Sequence, residues 1–382
     1  MSVIPYAFMG LMVLTGSLNT IFLSLQFSQY SLNLPYRHAW FQSQNMFLGE
    51  LYCLIFYYIV KFNETNETDV ITDEKKENEE ENPPSIFLLA IPAACDLIAS
   101  TLLAFALLNM ATSVYQMLRG GLVLVTATLS VIFLNKNEYR HHILGLLIVF
   151  LSIFLIGFAG VIYKKETDVR STNIGGICMM LLSLLFTGVQ FIVEELLLNK
   201  YTINPLKVVG LEGMWGSIFY TVILIVLQQI HCDNFFGKVD VCSLNNYNEW
   251  RVEDTLFSLR QMINNKALFA LVVAATFSIA FYNFFGVSVT KHASSAQRAV
   301  VDNLRTIVIW IFFLIVPSTI KEQFIWLQLI GFIGLVLGTL IYNEVLEIPY
   351  CNLNKYTKNN MIKEEEELKN TENGNYGAIE IE

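Results

Sequence analysis

The sequence predicts an all-α membrane protein of ten transmembrane helices, arranged as two inverted five-helix repeats. Three observations lead there. Of 382 residues, 54% are hydrophobic and only 15% charged, where a soluble domain carries about 25%. The polar residues gather in 63–82, 245–265 and the tail beyond Tyr350, leaving long apolar blocks between them. Ten of those blocks approach the length of roughly 20 residues that a helix needs to cross the hydrocarbon layer.

The first block, 3–27, has no short basic region or small-residue cleavage site like those of a secretory signal, so it reads as a retained helix. Blocks two and three, 40–60 and 85–108, flank an acidic loop at 61–84. Only 109–112 separates the third block from the fourth, 113–134. Fusing these two would make a helix of about 50 residues, too long for one crossing. The fifth block, 143–163, completes a first repeat spanning 1–163. The second repeat, 174–348, holds 174–197, 208–230, 267–289, 296–316 and 324–341, with a long loop at 231–266. Residues 349–382 form an acidic tail too poor in hydrophobes to fold alone.

An even number of spans puts both termini on one side. Cytosolic termini place Lys136, Arg140, Lys200, Lys207, Lys291 and the tail lysines inside, and the basic-residue bias favours that orientation. The 61–84 loop is then cytosolic and the 231–266 loop luminal. Because five is odd, a second set of five helices runs opposite to the first, an arrangement that places a solute site near the midplane in many secondary transporters. A shift of 181 positions lays Ser113-Val-Tyr-Gln116 over Ser294-Ser-Ala-Gln297, each at the start of an apolar block.

The net charge of −9 resides mainly in 64–81 and 364–382, solvated blocks that say little about partners. No basic stripe is present, which argues against nucleic acid as a partner. His141 and His142 are adjacent beside a loop and lack metal-ligand spacing. No phosphate-cradling glycine loop occurs. The expectation is no cofactor, no metal and no enzymatic activity.

Ionisable groups inside apolar spans cost about 2.5–3.5 kcal/mol when they face lipid, so they face a bundle interior or an aqueous cavity. The candidates are Glu50, Asp96, Arg119, Glu194, Glu212, Arg298, Asp302 and Arg305, with Gln116 and Asn283 as neutral partners; Asn19 and Tyr282 extend the set. Arg298, Asp302 and Arg305 stand at i, i+4 and i+7, on one helical face. Asp302 with Arg305 or Arg298 is a candidate internal ion pair. For each charge the alternatives are a closed structural pair and a solute-binding group; the number of charges at several depths favours a cavity.

Several segments resemble the drug/metabolite transporter superfamily, and within it the F group of solute carrier family 35, the nucleotide-sugar-transporter-like proteins. They include Leu14-Thr-Gly-Ser-Leu-Asn-Thr20, Met46-Phe-Leu-Gly-Glu50, Gln116-Met-Leu-Arg-Gly120, Val193-Glu-Glu195, Gly210-Leu-Glu-Gly213, Ser288-Val-Thr-Lys291 and Asp302-Asn-Leu-Arg-Thr306. The resemblance implies ten helices in inverted repeats, cytosolic termini and alternating-access transport of a small solute, nucleotide-sugar-like or another organic metabolite. The partners it implies are that solute, a coupling ion or exchange substrate, and membrane lipid. A membrane scaffold or regulator that binds another carrier is the alternative function.

Two further expectations rest on the soluble segments. Cys232 and Cys242, in the luminal loop, are candidates for a disulfide. Tyr376 and Ile379, in Tyr376-Gly-Ala-Ile379, resemble an adaptor-binding sorting signal read in extended form. With the family resemblance, that signal favours a lysosome-like internal membrane, with the Golgi or another endomembrane next.

Overall fold

The computed structural model describes residues 4–68, 85–136, 138–163, 172–201, 203–231, 243–244, 250–315, 325–344, 346, 354, 357 and 360. Helices dominate: α1 (Ile4–Gln26), α2 (Ala39–Thr68), α3 (Ala90–Leu108), α4 (Thr112–Arg119), α5 (Leu122–Leu134) and α6 (Arg140–Ile162). They are followed by α7 (Ile174–Lys200), α8 (Pro205–Leu227), α9 (Thr255–Asn264), α10 (Lys266–His292), α11 (Ser295–Ile315) and α12 (Trp326–Tyr342). Eight helical stretches are long and apolar enough to cross a membrane, α4 and α5 together forming one of them. Beyond those eight, α11 has 21 residues but carries Arg298, Asp302 and Arg305, and α12 is an apolar helix of 17 residues. The chain is an all-α membrane protein.

The sidedness of each helix explains the composition. Along α6, Ile143, Leu147, Phe150, Leu151, Phe154 and Phe158 point outward, while Gly145, Ser152 and Gly160 are buried. The apolar face therefore meets lipid, and small or polar groups meet neighbouring helices, as expected where burial of hydrophobic surface does not drive helix association. Helix α1 packs on α10 and α11, α2 on α8 and α10, α3 on α7 and α8, α5 on α7 and α11, and α6 on α12. An apolar core including Met110, Tyr115, Met117, Leu118, Phe191 and Phe332 lies where α3, α4, α7 and α12 approach.

Four elements depart most clearly from the sequence reading, the first being α2, which runs to Thr68 and so extends into the 61–84 segment read as a loop. The fourth apolar block is not one continuous α-helix. It tightens at Gly120 and Gly121, whose N–H groups bond three residues back to Met117 (3.1 Å) and Leu118 (2.9 Å). Helix α8 begins at Pro205 rather than 208, because the Asn204 side chain caps it and proline suits the first turn. Within 231–266 lies a ten-residue helix, α9, capped by Asp254, whose carboxylate accepts from the Phe257 N–H at 2.9 Å.

Helix α9 forms a cap over the α1–α2 connection. That connection carries a short antiparallel pairing, β1 (Tyr30–Ser31) with β2 (Leu34–Pro35). Ser31 Oγ donates to the Gln261 carbonyl (2.9 Å), and Gln261 Nε2 donates back to the Ser31 carbonyl (3.0 Å). Tyr36 and Ser258 share a hydroxyl bond of 3.1 Å, and Asn265 Nδ2 reaches the Tyr30 carbonyl at 3.2 Å. His38 Nδ1 lies 2.5 Å from Glu253 Oε1, both side chains being buried. Burial pushes the Tyr36 phenol well above its ordinary range, so it stays a neutral hydrogen-bonding group.

Candidate functional site

The interior charges sort into three groups. The first is centred on Asp302. Its Oδ1 accepts from Tyr282 Oη (2.6 Å) and faces Arg305 Nε (3.0 Å), while Oδ2 accepts from Arg119 Nε (3.1 Å). One carboxylate thus holds arginines from α4 and α11. Arg305 also lies over the Tyr282 ring at 4.7 Å. Gly16 of α1 makes room for this arrangement: a Cβ there would sit 2.7 Å from the Tyr282 ring and 2.8 Å from Arg305 Nη1. The ion pair anticipated for Asp302 is therefore with Arg305, joined by Arg119 from the other half of the chain, and not with Arg298.

The second group pairs Arg298 with Glu194 of α7 through a buried hydrogen bond. The guanidinium stacks 3.7 Å from the Phe191 ring centroid, an arrangement suited to its planar, weakly hydrated cation. Gly286 of α10 leaves space for it, since a Cβ there would lie 2.7 Å from Arg298 Nε.

The third group is acidic. Glu50 of α2 accepts a hydrogen bond from Asn283 of α10, but its Oε2 has no hydrogen-bond partner among the described residues. Glu212 of α8 is 3% exposed, and its Oε1 is likewise unpartnered. The next residue, Gly213, packs directly on Glu50: a Cβ there would lie 2.6 Å from the Glu50 Cβ. Gln190 lines the same cavity as Asp96 and Arg298, so this group adjoins the second.

A cavity with about 90 Å³ open to water lies between these groups. Of the sequence candidates, Asp96, Arg119, Asn283 and Arg298 line it, together with Asn19, Gln42, Gln190 and Tyr282. Glu50, Glu194, Glu212, Asp302 and Arg305 are buried next to the lining residues rather than among them. Gln116 is fully buried, its amide is unpartnered among the described residues, and it too lies outside the lining.

The structure adds contacts that sequence reasoning missed. Glu195 caps the start of α11, with Oε2 accepting from the Ser295 N–H at 3.0 Å and Oε1 meeting Lys136 Nζ at 2.6 Å. The serine that opens α11 was the available signal. His141 and His142, set aside on spacing, stand in the first turn of α6 beside Glu344, a residue 202 positions further along the chain from His142. No spacing rule reveals that approach. Cys232, Cys242, Tyr376 and Ile379 lie outside the described residues.

Outward apolar faces around a charged interior define a multi-pass helical membrane protein. No family model matches the chain. Solute carrier family 35 member F6 of Rattus norvegicus is 32% identical over 344 residues, covering 87% of each chain, and the Pongo abelii protein of that name is 31% identical over 343 residues with the same coverage. An uncharacterized protein of Schizosaccharomyces pombe is 29% identical, covering 89% of this chain and 97% of its own. A solved crystal structure superposes with a TM-score of 0.54 over 90% of this chain and 98% of its own, at 10% identity, a likeness of fold alone. The chain belongs to solute carrier family 35, where its similarity is to the F group.

Proposed function

We propose that this protein is a secondary carrier that moves a small charged metabolite across an internal membrane by alternating access. The observation that carries this reading is the cavity itself: Arg119 and Arg298, from helices in opposite halves of the sequence, face it together with Asp96. A cavity walled by charged groups of both signs suits a charged solute better than it suits a scaffold. Counting α11 and α12 as spans gives ten. The helix pairing supports two related halves, since α1 on α10 and α7 on α3 exchange when each span is replaced by the one five places on, as do α1 on α11 and α7 on α5.

Both arginines suit a carboxylate or phosphate on the solute. A cavity of about 90 Å³ is small against the roughly 300–1,000 Å³ of sites for larger ligands, so a solute as large as a nucleotide sugar requires the helices to part. The interior also holds more acids than bases: Glu50, Asp96, Glu194, Glu195, Glu212 and Asp302 against Arg119, Arg298, Arg305 and Lys136. Uncompensated buried charge costs several kcal/mol. We therefore assign the balance to a coupling proton or cation held near Glu50 and Glu212.

The decisive experiment is uptake by proteoliposomes containing the purified chain, screened with nucleotide sugars, amino acids, organic cations and thiamine-like vitamins. Saturable, counter-substrate-dependent flux that changes affinity in Arg298→Lys supports the reading. Absence of flux for every class, with folded protein in the vesicles, removes it. For an internal, lysosome-like destination the basis is the Tyr376–Ile379 motif and the family resemblance. Tyr376→Ala is expected to shift the protein toward the cell surface, and unchanged imaging eliminates the motif.

A further inference from the structure

We propose that His141, His142 and Glu344 form a binding site for a divalent transition-metal ion of the zinc class, clamping the start of α6 to the end of α12. This site is separate from the solute cavity and does not depend on what the cavity carries.

The three groups come from the two ends of one packed helix pair. His141 and His142 occupy the first turn of α6, and Glu344 follows the last turn of α12 in the left-handed region, with φ 59°. Their ligand atoms all lie within 4.8 Å of one another. Glu344 Oε1 is 3.1 Å from His141 Nε2 and 3.3 Å from His142 Nε2. Metal–ligand bonds of about 2.0–2.1 Å around a tetrahedral zinc ion separate neighbouring ligand atoms by about 3.3 Å. Both separations are close to that edge, and a small inward or outward adjustment of the carboxylate admits an ion.

The surroundings also resemble those of a metal site. Metal-bound imidazoles typically give their second nitrogen to a carboxylate, which orients the ring. Glu138 Oε2 lies 3.0 Å from His142 Nδ1, and Tyr342 Oη holds the other Glu138 oxygen at 3.1 Å. The Tyr139 backbone N–H also approaches His142 Nδ1, at 3.1 Å. That contact fits the metal-free tautomer, with the proton on Nε2. Metal binding at Nε2 moves the proton to Nδ1, where Glu138 accepts it, so no net proton is released from the ring. His141 is 4% exposed, and its Nδ1 has no partner among the described residues, so no contact there fixes the ring in one tautomer. Two imidazoles and one carboxylate favour zinc-like ions over magnesium, which takes oxygen ligands. Three protein ligands leave a fourth position for water.

The test uses the full-length chain, purified in detergent and stripped with a chelator, then titrated with zinc, cobalt(II) or magnesium chloride. The expected result is one equivalent of zinc per chain, a raised unfolding temperature, visible bands of tetrahedral cobalt, and no comparable response to magnesium. The His141→Gln/His142→Gln double variant and Glu344→Gln should each lose that equivalent, while Glu138→Gln should weaken it by about 10- to 100-fold. Glu344→Gln keeps the size of the side chain, so it serves if the double variant does not fold. Wild-type protein without stoichiometric zinc overturns the site, and so does an equivalent that persists in Glu344→Gln.

Discussion

Asp302 bridges two arginines with one carboxylate, which makes it the interior residue whose loss is most easily forecast. Asp302→Asn leaves Arg119 and Arg305 facing an amide, and breaking a buried pair in this way costs about 3–5 kcal/mol. Thermal unfolding in detergent should show the loss directly. Arg305 is 2% exposed and stands behind Tyr282 rather than in the cavity lining. Arg305→Lys should therefore lower the unfolding temperature and leave transport affinity unchanged, whereas Arg298→Lys, which loses the planar fork at the cavity wall, should change affinity. An affinity change in Arg305→Lys, measured by uptake kinetics, moves that residue back into the site. The shared face of Arg298, Asp302 and Arg305 was legible from spacing alone. The partners were not, because Glu194 and Arg298 are 104 positions apart and only the packing of α7 on α11 brings them together. Neighbouring residues also diverge in role: Glu194 meets an arginine beside the cavity while Glu195 caps a helix, since successive residues point about 100° apart around a helix.

Helix length and apolarity were legible for the same reason that they are obligatory, namely that a backbone in lipid must satisfy its own hydrogen bonds. What escaped was local. The tightening at Gly120–Gly121 leaves hydropathy unchanged, and it is supported across helices by Asn303 Nδ2 donating to the Gly120 carbonyl at 3.4 Å and Thr306 Oγ1 donating to the Gln116 carbonyl at 3.3 Å. Helix α9 is short and polar, so it resembled loop. The α6–α12 crossing makes an element-level prediction. A Cβ on Gly145 would lie 2.7 Å from the Gly338 carbonyl oxygen, and one on Gly338 would lie 2.8 Å from that of Gly145. Backbone meets backbone there, with no flexible side chain to yield. Gly145→Ala should destabilise the protein by about 1–3 kcal/mol, the usual cost of overpacking. An unfolding temperature equal to wild type would show that the two helices are free to separate.

At the scale of the molecule, two sequons report which way it faces. Asn63 and Asn66 lie in the final turns of α2, within Asn63-Glu-Thr65 and Asn66-Glu-Thr68. With cytosolic termini these sequons stay away from the glycosylation machinery, so the expected result is no glycosidase-sensitive mass shift. A shift abolished in an Asn63→Gln/Asn66→Gln variant inverts the orientation. The all-α, membrane-spanning character was legible from the long apolar blocks, yet the sequence alone could not say which helices meet. Pairing of α2 with α8 and of α6 with α12 depends on close approach at glycines, which hydropathy does not record. The α9 cap has a kinetic consequence. It joins the α1–α2 connection to the segment before α10 through the Ser31–Gln261, Tyr36–Ser258 and His38–Glu253 contacts, while the opposite ends of those helices have no comparable helix laid across them among the described residues. Each neutral bond contributes about 1 kcal/mol, so parting three or four at once lengthens the wait by roughly two to three orders of magnitude. On the alternating-access cycle proposed above, opening at the capped face is then the slower step, and the uncapped face comes to equilibrium with its own compartment many times for each opening on the other side.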